Sequence, residues 1–308
     1  MTRKKYDSMS SSMENNNQRV NIISKSAKPL CIVIAGGAVR GIGMLGALQY
    51  IDSVQNLEQV HSFFGTSMGS ILAYWCCIGY KPIDVVHMLI QSNLLKAIQN
   101  DISVNTILQD QGIFKFDCIR DELEISTLSR YGKLFTMKSL YDELGKEFCC
   151  VSFNYSKNRT EILHHTTTPD LDCITAIQMS SSIPFVFNKC IVNNMLYIDG
   201  AISDNFPIRV ALKMGHSNII GIVSFSTIEQ PIPDVSTSED SPPTLEISKI
   251  LSLPISKKTK KTIRKYQRKY LIIDIPLSED ALNFNLDISE IMDMFSRGYK
   301  ICRIIFNS

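Results

Sequence analysis

Short, nearly continuous apolar runs recur along the chain, and between them apolar residues return every three to four positions. The runs Leu30–Ala35, Val60–Phe64, Phe148–Tyr155, Met195–Ile198, Ile219–Phe225 and Leu271–Ile275 predict buried strands. Thr160–His165 predicts another strand, joined to the third run by the polar turn Ser156–Arg159. Ile42, Leu45, Leu48 and Ile51 stand at helical spacing, and Ser70–Ile78 reads as a buried helix. Further helices are predicted over Ile83–Ile98, Phe116–Leu128 and Ser139–Gly145. Asp172–Ser181 is predicted to stop before Pro184, Pro207–Met214 to start on its proline, and Ile288–Ile305 to close the chain as an amphipathic helix. Strands alternating with helices predict an α/β fold with helices on both faces of the sheet.

The polar stretches divide this pattern. Residues 1–28 are Asn- and Ser-rich and predict a disordered tail; 29–225 hold the core; 226–270 read as a flexible, basic insertion; 271–308 return to strand and helix and complete the core. No internal repeat is present. With 308 residues, 44% of them hydrophobic, the chain can bury a large core, and its formal charge of +2 gives no global field for nucleic acid, so none is expected as a partner. The start Met-Thr-Arg-Lys-Lys is not followed by an apolar stretch, and no run reaches the roughly 18 apolar residues of a membrane span. Nine cysteines, an odd number without a C-x-x-C pair, predict reduced, buried thiols rather than disulfides or zinc ligands. These features predict a cytoplasmic protein whose membrane contacts are peripheral.

Three short motifs carry candidate chemistry. Gly65-Thr66-Ser67-Met68-Gly69 is a G-x-S-x-G between an apolar strand and an apolar helix. A sharp turn there exposes the Ser67 hydroxyl, and the following helix aims its N–H groups and positive dipole end at it, which suits acyl transfer. Three fixed positions also recur by chance. Gly36-Gly37-Ala38-Val39-Arg40-Gly41 follows a strand and offers backbone N–H groups for an oxyanion, with Arg40 adding charge or holding the loop; the alternative is a helix-entry turn with small residues for packing. Gly41-x-Gly43-x-x-Gly46 also matches a dinucleotide fingerprint. Its first glycine, however, stands six residues beyond the strand, and Phe63-Phe64-Gly65 offers no acid for a ribose. In Asp199-Gly200-Ala201 a carboxylate ends a strand and could serve as base if burial raised its proton affinity; Asp-Gly is also a common turn dipeptide.

The five histidines are His61, His87, His164, His165 and His216. His61 and His87 read as structural, and His164 and His165 as ordinary surface positions at a strand end. His216 alone gives the order Ser67…Asp199…His216 of an α/β-hydrolase triad. It sits in a helix-to-strand turn, so Asp199 is the better base. No grouping of acidic residues and histidines has metal-ligand spacing.

Taken in order, the three motifs resemble the patatin-like phospholipase family, as do the flanking Met179-Ser180-Ser181-Ser182-Ile183-Pro184 and Asp204-Asn205-Phe206-Pro207. The resemblance covers about residues 30–225. It implies a patatin-like three-layer α/β/α sandwich around a central, mostly parallel sheet. It also implies a Ser67-Asp199 dyad without histidine, an oxyanion hole at Gly36, Gly37, Ala38, Arg40 and Gly41, and Gly65, Gly69, Gly200 and Ala201 supporting the motifs. No metal or cofactor is implied. The implied activity is release of fatty acid from a phospholipid or related acyl lipid through an acyl-enzyme. Ala38 replaces the family's third glycine, and a positive φ there would strain it by about 1 kcal/mol. That departure leaves open a silent lipid-binding protein on the same fold. Eight basic residues between Lys257 and Lys269 offer a docking site for anionic membrane; a basic nuclear signal and a solvated loop are the other readings.

Overall fold

In the computed structural model, which describes residues 30–92, 114–226 and 243–307, each predicted apolar run enters one eight-stranded sheet. Strand β1 (Leu30–Ile34) lies at its centre, flanked by β2 (Ser62–Thr66) and β7 (Asn218–Ser226). Beyond β7 comes β8 (Leu271–Leu277), and beyond β2 comes β3 (Glu147–Asn154); all these pairings are parallel. β4 (Arg159–His164) and β6 (Met195–Asp199) run antiparallel to β3, and β5 (Cys190–Val192) caps β6.

The period of two in β1 divides the core. Ile32 and Ile34 point into the larger apolar cluster, and Cys31 and Val33 into a smaller one on the opposite face. The larger face is covered by α1 (Gly41–Gln55), α2 (Met68–Cys77), α3 (Pro82–Gln91), α4 (Asp117–Tyr131), α5 (Met137–Leu144) and α6 (Cys173–Ser181). The other face carries Phe206, α8 (Ile208–Lys213) and part of α9 (Pro243–Tyr266); the four-residue α7 (Ala201–Asp204) lies between β6 and α8. The final helix α10 (Ile288–Asn307) crosses α1. This is the expected three-layer α/β/α sandwich.

Several expectations shift. β2 starts and ends two residues later than its apolar run, so Thr66 is still strand and Ser67 is its first residue beyond. β5 and α7 have no clear sequence signal, because three or four residues cannot show a period. The helix predicted over 83–98 ends at Gln91, and residues 93–98 lie outside the described residues. So do the tail 1–28 and the proline-rich stretch 227–242. Residues 243–266 are helix, not loop: Ile263 is buried and Tyr266 packs on the smaller core. Eight of the nine cysteines are buried, and none is in a disulfide. No described helix is long and apolar enough to cross a membrane.

Candidate active site

Ser67 stands where β2 turns into α2, with φ 54° and ψ −129°. A positive φ costs a residue with a Cβ about 1–2 kcal/mol, so the surroundings must hold it. The Ser67 N–H donates to Ser180 Oγ at 3.0 Å, and Ser180 Oγ in turn donates to the Val151 carbonyl at 2.6 Å. The Ser67 carbonyl accepts from the Ser70 N–H and from Ser70 Oγ. The flanking glycines serve close approach. A Cβ on Gly65 would overlap the Gly69 carbonyl, and one on Gly69 would overlap the Ile34 carbonyl of β1. The elbow thus needs both glycines to lay α2 against the sheet.

Pairing along β3 explains how Asp199 reaches this turn. Residues 149–154 of β3 pair with β4 on one edge. The other edge pairs with β2 through Val151 and with β6 from Ser152 onward. β2 and β6 therefore occupy the same lane and run head-on, with Thr66 opposite Val151 and Asp199 opposite Ser152. Their ends meet at Ser67 and Asp199. Ser67 Oγ donates to Asp199 Oδ2 at 2.6 Å, and the Ala201 N–H donates to Oδ1 at 2.7 Å. Both side chains are buried, at 4% and 2% exposure. Burial pushes the Asp199 carboxyl up to about 6, with the Ser67 hydroxyl and Ala201 N–H offsetting part of the rise. Gly200 takes ordinary helical angles; its missing Cβ is what lets this corner sit on the Val151 carbonyl.

The glycine loop lies against Ser67: a Cβ on Gly36 would stand 3.1 Å from Ser67 Cβ. Its five candidate residues divide into two roles. The Gly36 N–H donates to the Asn205 carbonyl at 3.1 Å, and the Gly41 N–H caps the preceding turn. Arg40 Nε donates to the Glu279 carbonyl at 3.0 Å, and the Val39 N–H to Ala281, so the loop is tied to the segment after β8. The N–H groups of Gly37 and Ala38 have no acceptor among the described residues. Ala38 holds φ 46°, the strained position foreseen for it, with its donor intact. Gly43 and Gly46, which imitate a dinucleotide fingerprint, are accounted for by packing: a Cβ on Gly46 would overlap the Phe295 carbonyl of α10.

Beside Ser67 opens a cleft whose described lining is almost wholly apolar, with Ala38, Ser67, Ile42, Leu45, Trp75 and Phe187 among its walls.

His216 is nowhere near this end of the sheet. Its Nε2 lies 2.9 Å from Glu147 Oε2, and Glu147 begins β3 opposite Ser62, the first residue of β2. Five residues of strand, roughly 16 Å, separate Ser62 from Ser67. This geometry removes the Ser-His-Asp arrangement. His164 is also not a surface residue: it is 3% exposed and its Nε2 lies 3.1 Å from Glu147 Oε1. Burial pushes the Glu147 carboxyl up, but hydrogen bonds from His164 and Ser62 and the close approach of His216 outweigh it and hold the group well below the usual carboxylate range. Among the described residues no three His, Cys, Asp or Glu side chains converge as metal ligands.

Sequence reasoning missed Ser180 and Asn205 as supports of the elbow and loop. The runs 179–184 and 204–207 stood out as segments, but single small polar residues gave no sign of which hydroxyl or amide faces the site.

A profile of the patatin-like phospholipase family matches residues 32–212. The chain is 31% identical over 225 residues to a probable lipid hydrolase of Invertebrate iridescent virus 6, covering 69% of this chain and 77% of that protein. It is 26% identical over 275 residues to an uncharacterized protein of Acanthamoeba polyphaga mimivirus, covering 87% of this chain and 91% of that one. Its fold is similar to that of VipD from Legionella pneumophila, with a TM-score of 0.54 and 14% identity over 92% of this chain and 67% of that one.

Proposed function

Because the chain belongs to the patatin-like phospholipase family and is a serine hydrolase of lipid esters, we propose that Ser67 and Asp199 are its catalytic dyad. The observation that carries this reading is the 2.6 Å hydrogen bond from Ser67 Oγ, in the lining of an apolar cleft, to a buried carboxylate. Asp199 Oδ2 takes the hydroxyl proton as Ser67 Oγ attacks the ester carbonyl. The oxyanion is held by the N–H groups of Gly37 and Ala38, with the N-terminus of α2 directed at the same point. Collapse of the intermediate returns the proton from Asp199 to the leaving alcohol. Water then cleaves the acyl-enzyme and releases the fatty acid. A carboxyl raised to about 6 is a better proton acceptor than an ordinary aspartate and is still ionised at neutral pH. Gly36, Arg40 and Gly41 hold the loop rather than the oxyanion.

The cleft suits an acyl chain, and phospholipid is the substrate class proposed. The exposed Lys257, Lys261, Arg264, Lys265 and Arg268 support peripheral contact with anionic membrane. The test is fatty-acid release from mixed phosphatidylcholine and phosphatidylglycerol vesicles. Ser67→Ala and Asp199→Ala are expected to lose roughly 10³-fold or more, while His216→Ala stays within a few-fold of wild type. Absence of release by wild type, with no labelling of Ser67 by a fluorophosphonate, would overturn the dyad.

A further inference from the structure

Among the described residues that line the cleft, Ser181 alone besides Ser67 carries a hydroxyl, and it is 3% exposed. Its Oγ has no hydrogen-bond partner among the described residues. The neighbouring serines are engaged: Ser180 Oγ donates to Val151, and Ser182 Oγ donates to the Gln178 carbonyl at 2.7 Å. A buried hydroxyl without a protein partner is unfavourable, so such a group in a reaction cleft points to a water or ligand atom as its partner.

The backbone fixes which side of the reaction Ser181 serves. The Asp199 N–H donates to the Ser182 carbonyl at 2.9 Å, and the Gly200 N–H to the Ser180 carbonyl at 3.1 Å. Ser181 is thus clamped to the base, not to the glycine loop that offers the oxyanion donors. The atom on the base side is the oxygen that leaves as alcohol in acylation and enters as water in deacylation. We propose that Ser181 holds the hydrolytic water. The water donates one O–H to Asp199 Oδ2, vacated once Ser67 is acylated, and the other to Ser181 Oγ. Its lone pair then faces the acyl carbonyl. As the water oxygen bonds to that carbon, Asp199 takes its proton; the carbon–Oγ bond breaks, Ser67 Oγ recovers the proton from Asp199, and the carboxylic acid leaves. Without Ser181 an otherwise apolar cleft leaves the second O–H unpaired, and a buried water needs two or more partners.

The inference rests on the Ser67–Asp199 reading. Its test is pre-steady-state hydrolysis of p-nitrophenyl decanoate by the full chain, with the intact protein followed by mass. Nitrophenolate leaves without assistance, so the ester isolates deacylation. Ser181→Ala is expected to form acyl-enzyme at the wild-type rate, release about one equivalent of nitrophenolate in a burst, and then turn over about tenfold more slowly or less. The burst counts active sites, so misfolded protein does not enter the ratio. A steady-state rate per site equal to wild type overturns the proposal, as does a burst that slows in parallel with turnover. Ser67→Ala separates the two readings: acylation persisting in that variant would sink the dyad, independently of Ser181.

Discussion

Ser67 and Asp199 each depart from an isolated residue, one in its backbone angles and one in its proton affinity. For Asp199 the consequence is measurable as a pH profile. A base must be ionised, so kcat/KM is expected to fall as pH drops through about 6, two units above an unperturbed aspartate. Linkage gives the opposite trend for stability. Because the folded carboxyl binds its proton more tightly than the unfolded one, its contribution is most favourable below about 4 and declines as pH rises towards 6. Asp199→Asn should therefore be inactive, yet about 3 kcal/mol more stable than wild type in urea at pH 8. An acid limb near 4, or a destabilised Asn variant, would show that burial does not set this group. Ala38 belongs to the same scale: its identity was legible as a departure, its strain only as a condition, and φ 46° meets that condition.

At the scale of elements, the site depends on contacts made by absent side chains. α1 follows the glycine loop directly and is crossed by α10 so closely that a Cβ on Gly298 would overlap the Gly43 carbonyl. Alanine has the better helix propensity by about 1 kcal/mol, but overpacking against rigid backbone costs more. Gly298→Ala is thus expected to lose about 2 kcal/mol net by urea denaturation and, by shifting α1 and the loop before it, to lower kcat. A variant as stable as wild type would mean that the two helices can part freely. The helix pattern of 288–305 was clear in the sequence; its partner was not, since glycine at a crossing looks like glycine in a turn.

At the scale of the whole molecule, charge is distributed with a purpose the net value of +2 hides. The C-terminal part of α9 buries Ile263 and Thr259 while Lys257, Lys261, Arg264 and Lys265 remain exposed, with Arg268 just beyond. Each such residue is worth about 1 kcal/mol at an anionic surface. Replacing Lys261, Arg264, Lys265 and Arg268 by Glu should weaken binding to phosphatidylglycerol-rich vesicles by 100-fold or more, roughly, in co-sedimentation at low salt. Hydrolysis of a soluble p-nitrophenyl ester should be unchanged. Equal vesicle binding by the variant would assign membrane contact to another surface.

The strands, most of the helices, the two-faced sheet and the three motifs are legible in the amino-acid sequence alone. All of these depend on local periodicity or on residue types within a few positions, which a single chain displays directly. The sequence also singles out Ser67 as the candidate nucleophile, because a strand–turn–helix with glycines on both sides is a local constraint. Which side chain partners Ser67 depends on the tertiary structure. The choice between Asp199 and His216 rests on β2 and β6 meeting head-on along one edge of β3, and on Glu147 drawing His216 to the other end of the sheet. Those contacts join residues 43 to 85 positions apart and so bring together Ser67 and Asp199, 132 positions apart; no local pattern encodes which strand ends come together. The same holds for the buried hydroxyls: Ser180, Ser181 and Ser182 are adjacent and identical in sequence, and only packing gives Ser180 and Ser182 different acceptors and leaves Ser181 without a partner among the described residues.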